Sequence, residues 1–218
     1  SDLITFACAH LNKGLSAEVH RWLSEDAVAQ MQQPQIDVPS LSCAVTSHTG
    51  LSWGLHQVNA TGRMIFGHGG GTFGQMSMLR IIPDKDLCIA LLINCDNAEV
   101  AYQTVINELL KELADIDLTE PEPSVVSMPK EQLLSYLGDY QSPGEHYSIR
   151  LEDNQLVATY RDIVSASPAQ RLSLKATESG LWVSYTEKGI PGGKLRFLKP
   201  DVQGNYRYLF NGRMLSRV

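Results

Sequence analysis

Basic charge is in short supply in this chain. Lys and Arg number 18 against 24 Asp and Glu, a net charge of −6 over 218 residues. Nucleic acid and anionic membrane surfaces call for clustered Lys and Arg, so neither is an expected partner. Charged residues of both signs make up only 19% and aromatic residues 7%, whereas apolar residues reach 43%. That balance supplies a core and argues against intrinsic disorder. Long hydrophobic runs are missing too. The longest, Leu87 to Asn94, is under half of what a helix needs to cross a bilayer, so no membrane span is expected. The four cysteines (Cys8, Cys43, Cys88, Cys95) show no CxxC spacing. His10, His20, His48, His56 and His146 show no HxH or HExxH pattern. No metal and no cofactor are therefore expected. Cys88 and Cys95 stand seven apart on one predicted strand, an odd offset that sends them to opposite faces and argues against a mutual disulfide.

At roughly 150 residues per domain the length corresponds to about one and a half domains. The chain opens on Ser1-Asp2 directly inside an amphipathic pattern, with neither an initiator Met nor a signal-peptide pattern, and reads as a piece of something longer. Leu3, Phe6, Ala7 and Leu11 predict a helix over 2–13, capped by Ser1 or Asp2 and stopped at Gly14. Ser16 and Ser24, each ahead of acidic residues, predict two short helices before Pro34. From Leu41 to Asp96 the period becomes two. Strands are expected over 41–47, 51–58, 63–68, 75–82 and 87–94, with turns at His48–Gly50, Asn59–Gly62, Gly69–Gly74 and Pro83–Asp86. Connections that short require antiparallel neighbours. Leu87–Ile93 is apolar on both faces and is expected to be a central strand. A helix over 98–116 follows, with Ala101, Val105, Ile106, Leu109, Leu110 and Leu113 as its stripe.

Asp117 to Ser127 is rich in acid, Pro and Ser and reads as a linker, with Asp115, Asp117, Glu120 and Glu122 as solvated charge. Residues 128–218 then read as an all-β module. A short helix over 130–138 leads into strands over 146–151, 155–160, 171–175, 181–186, 194–198 and 205–210, with a type I′ hairpin expected at Asn211-Gly212. Such spacing indicates a small barrel or meander. The boundaries are thus 1–116, 117–127 and 128–218.

Three short patterns carry possible chemistry. Gly50-Leu51-Ser52-Trp53-Gly54 matches the G-x-S-x-G nucleophile elbow, which requires a helix directly after the serine; Leu55 to Val58 alternates like a strand instead. His68-Gly69-Gly70-Gly71 is similar to the HGGG oxyanion loop of lipases, but that loop precedes the elbow and here it follows. Ser127-Met128-Pro129-Lys130 is formally an S-x-x-K, yet it sits at the linker exit with Pro129 suited to a first helical turn, so Ser127 is expected to cap. Trp22, Trp53 and Trp182 read as core or interface aromatics.

Four elements in order carry a resemblance: the Asp2-Leu3 helix, Gly50–Trp53, His68-Gly69-Gly70, and Leu91–Asn94. Residues 2–116 resemble the C-terminal half of the catalytic domain of serine β-lactamase-like proteins (class C β-lactamases, DD-peptidases and their esterase relatives). In that family the matching segments are a "TDLARF"-like helix, a "GLGW" strand, the third motif Lys/His-x-Gly, and an "LLTN" strand. The region after 127 resembles the small β-rich domain often appended to the family. The resemblance implies an α+β fold: the C-terminal half of a β-lactamase/transpeptidase-like domain, an antiparallel sheet flanked by helices, followed by a small all-β barrel or meander. It makes His68 the catalytic candidate, orienting substrate or helping proton transfer. Gly69, Gly70 and Gly71 become the substrate- and oxyanion-binding strand, with Gly71 N–H as one donor. Gly69 stands where relatives often carry Ser or Thr, which favours a peptidase- or esterase-like substrate over a penicillin.

The family's first motif, Ser-x-x-Lys, and its second, Tyr-x-Asn, are not matched. None of the eight tyrosines has Asn two residues on, and Cys95-Asp96-Asn97 falls on the wrong side of the third motif. The expectation is a fragment of a serine hydrolase acting on an amide, peptide or ester through an acyl-enzyme, without nucleophile or general base and inactive alone. Its partners would be a small-molecule or peptide substrate in the parent, and an N-terminal half-domain or a second copy against the uncovered surface. The alternative is a non-catalytic binding protein using the C-terminal β module. The family points to the periplasm; the sequence itself leaves the compartment open.

Overall fold

A computed structural model describes residues 2–72, 74–95, 99–165 and 167–218. Ser1, Phe73 and the Asp96-Asn97 pair singled out above lie outside the described residues. The chain divides into two compact units, Ser1–Glu120 and Pro121–Val218.

In the first unit the opening stripe forms helix α1 (Asp2–Leu11), and Gly14 ends it. Gly14 takes φ +88°, its N–H bonds the Ala9 carbonyl at 2.8 Å, and a Cβ there would meet the Leu23 carbonyl at 2.2 Å. Helix α2 (Glu25–Met31) starts at Ser24, whose hydroxyl accepts the Ala27 N–H at 3.1 Å. The helix expected from Ser16 does not form. Val19 turns left-handed, Leu15 bridges Arg21, and the Arg21 guanidinium ties the loop by bonding the Lys13 and Leu23 carbonyls.

Six antiparallel strands follow in meander order: β1 (Ile36–Asp37), β2 (Val45–Thr49), β3 (Gly54–Val58), β4 (Met64–Thr72), β5 (Gln75–Ile82) and β6 (Leu87–Ile93). Two of the expectations give way here. Gly69–Gly71 are strand rather than turn, because β4 pairs β5 without a break from Phe66↔Ile81 to Thr72↔Gln75. β6 is the last strand of the meander and lies at the sheet edge, with Leu92 67% exposed. Helix α3 (Glu99–Ala114) covers one face, burying Ile106 and Leu110 against Ile65, Met78, Ile82 and Ile89. On the other face Ala7 of α1 packs with Trp53, Leu55, Phe66, Leu79 and Ile81. Each fully buried Leu or Ile stabilises by about 1.5–3 kcal/mol. Val105 and Leu113 remain exposed, so the buried stripe of α3 is narrower than its sequence suggests.

The second unit is a closed barrel of eight antiparallel strands: β8 (Gly138–Gln141), β9 (Glu145–Glu152), β10 (Gln155–Asp162), β11 (Gln170–Thr177), β12 (Trp182–Thr186), β13 (Pro191–Pro200), β14 (Tyr206–Phe210) and β15 (Met214–Arg217). The ring closes where β15 pairs β8 through Ser216↔Gln141 and Arg217↔Tyr140. Both closing strands fall outside the sequence expectation. A two-residue strand, β7 (Val125–Val126), adds to β11, and Leu118 packs on the α3 face of the first unit, so structure reaches into 117–127 from both sides. The leading helix is one turn, α4 (Lys130–Leu133), then a 3-10 turn; Pro129 rather than Ser127 holds its cap position. The double left-handed hairpin turn is at Asp153-Asn154, whereas at Asn211-Gly212 only Gly212 has positive φ. The interior is filled by side chains, among them Tyr140, Ile149, Leu156, Trp182, Leu195, Phe197 and Leu209.

Candidate functional site

Strand β4 is anchored by Ile65 on the α3 face and Phe66 on the α1 face. Gly67 is demanded by packing, since a Cβ there would meet the Leu79 carbonyl at 2.0 Å. Beyond it the strand outruns its neighbour. β3 pairs β4 only as far as Gly54↔Gly67, while β4 continues from His68 to Thr72 with β5 alone beside it.

The ladder parity fixes which groups are left over. Val58 N–H bonds the Arg63 carbonyl at 2.8 Å, and the β3–β4 register then runs unbroken through His56↔Ile65 to Gly54↔Gly67. Residues 63, 65 and 67 therefore direct N–H and C=O towards β3, and by the alternation of an antiparallel ladder so do Gly69 and Gly71. No described strand receives them. His68, Gly70 and Thr72 spend theirs on β5. Side chains alternate the other way, so His68 and Gly70 share the Phe66 face with α1.

Packing does not explain the two edge glycines. A Cβ on Gly69 would find Met78 Cε at 3.6 Å and one on Gly71 only the Gln75 carbonyl at 3.9 Å, both ordinary contacts. Gly70 is tighter, with Ser77 Oγ at 2.6 Å from the Cβ position.

Beside this edge lies a cleft of about 390 Å³. Leu3 and Phe6 of α1, Met31 of α2, Trp53 and Leu79 supply its apolar wall. Its polar side is Ser52, His68, the Gly69-Gly70 backbone and Ser77. The structure thus brings together His68, Gly69 and Gly70 as lining, with Gly71 next along the same edge. His68 is exposed and its ring has no hydrogen-bond partner among the described residues. Ser77 Oγ donates to the Gly70 carbonyl at 3.4 Å. The cleft shows one open backbone donor, Gly69 N–H, with Gly71 N–H further along the same edge, beside an imidazole and two hydroxyls, of which Ser77's is directed at the Gly70 carbonyl. Open strand-edge donors of this kind can pair with an extended acyl group.

Sequence reasoning passed over a second histidine site. His56 Nδ1 lies 3.0 Å from Ser47 Oγ on the α3 face, since its neighbour Leu55 faces α1. Burial first, then the Arg80 and His48 charges, hold its pKa down at about 4. No spacing rule marks such a pair, which cross-strand register alone creates (Ser47↔His56). His10 is buried with neither ring nitrogen bonded among the described residues, amid Phe6, Trp22 and Trp53 rings at 4.9–5.3 Å, and burial lowers its pKa. Burial, with the Cys8 thiol alongside, pushes the Cys88 thiol up to about 12 and leaves it unreactive. Among the described residues no His, Cys, Asp and Glu group could hold a metal ion.

No protein-family profile matches the chain. Over 120 residues it is 31% identical to penicillin-binding protein 4 of Amycolatopsis lactamdurans, a match covering 55% of this chain and 31% of that protein. Among solved structures it resembles SurE with D-Leu (TM-score 0.67, 23% identity, all of this chain and 49% of that one). A second SurE structure is similar to the same degree, at TM-score 0.67 and 24% identity over all of this chain and 47% of that one. The chain thus spans about a third of the penicillin-binding protein and about half of each SurE chain. The SurE likeness, which covers all of this chain, shows the fold alone.

Proposed function

We propose that this chain is the C-terminal portion of a serine β-lactamase-like hydrolase that cleaves an amide, peptide or ester through an acyl-enzyme. In this reading 1–116 completes the catalytic domain, 117–127 links, and 128–218 is an accessory barrel. The first unit provides the substrate-holding wall: Gly71 N–H, and Gly69 beside it, receive an extended acyl group, while His68 orients it. The nucleophile and general base come from elsewhere in the parent, so the chain alone binds without turning over. One observation carries the reading. β4 runs past β3 by the five residues His68–Thr72 and leaves the backbone of two glycines, which packing does not require, open beside a cleft. The 31% identity to a penicillin-binding protein supports the reaction class. The half-exposed Phe6, Trp22 and Leu51 (41%, 44% and 48%) support a covering partner, an N-terminal half-domain or a second copy.

A solved neighbour of the same fold is described with D-Leu, so an N-acyl D-amino acid is the ligand to try first. The test is an amide-shift titration of the 218-residue chain with N-acetyl-D-leucine, and with its L enantiomer as control. Saturable shifts at Gly69 and Gly71, lost in Gly71→Pro and kept in Gly71→Ala, are expected. The proline removes an edge donor without costing a ladder bond. Shifts confined to the barrel, or none at millimolar ligand, would refute the reading.

A further inference from the structure

The turn between β2 and β3 carries a residue that the backbone does not favour. Gly50 N–H bonds the Trp53 carbonyl at 2.8 Å, and within that turn Ser52 takes φ +68°. Glycine adopts this left-handed conformation freely; a serine is strained by its Cβ. Strain held beside a cleft is grounds for looking for a function. Ser52 lines the cleft together with His68 and Gly69. Its hydroxyl has no partner among the described residues, whereas Ser77, the other hydroxyl of the cleft, is already directed at the Gly70 carbonyl. The β3–β4 register says where Ser52 stands. Pairing with β4 stops at Gly54↔Gly67, and the Gly50–Trp53 turn follows directly, so Ser52 stands at the corner where β3 leaves and the free edge begins.

We propose that Ser52 is a ligand-positioning residue: its hydroxyl bonds a polar end group of the extended acyl ligand that lies against Gly69 and Gly71. This rests on the edge-binding reading above, which supplies the ligand. An unengaged hydroxyl at the start of an open strand edge fixes where along that edge the ligand stops, a matter the repeating N–H and C=O groups leave unspecified.

The test compares Ser52→Gly, Ser52→Ala and Gly71→Pro with the unaltered chain, measuring N-acetyl-D-leucine affinity by amide shifts and Tm by thermal unfolding. Ser52→Gly is expected to keep or raise Tm by a few degrees, since it relieves the left-handed strain, while weakening affinity roughly tenfold for one lost polar hydrogen bond. Ser52→Ala keeps the strain and loses the hydroxyl, so its affinity falls equally without a gain in Tm. A merely structural Ser52 predicts the opposite pairing: affinity unchanged in Ser52→Gly. Affinity within twofold of the unaltered chain in both Ser52 variants, while Gly71→Pro abolishes binding, overturns the Ser52 proposal and leaves the edge reading standing. Failure of the unaltered chain to bind the probe overturns both.

Discussion

Stability of the first unit should fall on mild acidification, and His56 is the group responsible. Its imidazole is half-buried on the α3 face against Ser47 Oγ at 3.0 Å, and burial, Arg80 and His48 lower its pKa from 6.5 to about 4. The unfolded chain binds a proton at that histidine near pH 6.5, whereas the folded chain resists until near pH 4. The stabilisation is therefore complete above about pH 7, is lost as pH falls through the window between the two values, and is flat below it. The separation of the two values corresponds to about 3 kcal/mol, of which about 2 kcal/mol is gone by pH 5. His10, whose pKa burial also lowers, adds to the loss with the same sign. The carboxylates held low, such as Asp117 at about 2, act below this window, because unfolded carboxyls titrate near pH 4. The assay is urea unfolding followed at amides of Ile65 and Ile81 between pH 7 and 5, with the imidazole pKa read directly from its ring C–H shifts. His56→Gln should be less stable at pH 7 yet lose about 2 kcal/mol less on going to pH 5. An unaltered pH slope in that variant, or an imidazole titrating at pH 6 or above in the folded chain, would refute the reasoning.

Two more expectations follow. Gly67→Ala should destabilise the first unit by about 3 kcal/mol or more, because its Cβ would sit 2.0 Å from the Leu79 carbonyl, while Gly71→Ala should fall within about 0.5 kcal/mol of the unaltered chain; chemical denaturation of both decides it. Incubation with a penicillin or a fluorophosphonate should leave the intact mass of this chain unchanged, and an adduct mapped to Ser52 or Ser77 would show that the cleft holds its own nucleophile.

Periodicity made the strands legible where both of their faces are packed. Strand β5 has the predicted bounds, 75–82, because Met78, Leu79, Ile81 and Ile82 divide between the two core layers. It was silent at the closing strands of the barrel: Gly138–Gln141 and Met214–Arg217 are four residues each, and the buried Tyr140 and Leu215 are too few to set a period. It misled at Leu87–Ile93, where a run apolar on both faces reads as central. The α1 and α3 layers cover those faces of an edge strand just as they would a central one. Ser16 misled in another way. A cap residue and acidic neighbours do not make a helix without a buried stripe, and the following segment buries none of its residues.

The glycine run shows most clearly how composition and register divide the work. As composition, Gly69–Gly74 is a turn signal, and only the family resemblance read it as strand. What makes it strand is the partner: β5 presents an uninterrupted ladder from Ile81 to Gln75, and a chain with so few side chains of its own follows that template. What makes it a candidate site is the length mismatch with β3, which ends five residues sooner because the Gly50–Trp53 turn closes there. Neither strand announces that mismatch in its own sequence. It arises from two independent choices, a turn placed early in one hairpin and glycines carried late in the next. If the open edge were incidental, an exposed and unpaired strand end would be an aggregation liability of the kind proteins blunt with charge or proline. His68–Thr72 carries no Lys, Arg, Asp, Glu or Pro, which agrees with the proposal that a ligand or a covering partner pairs with this edge.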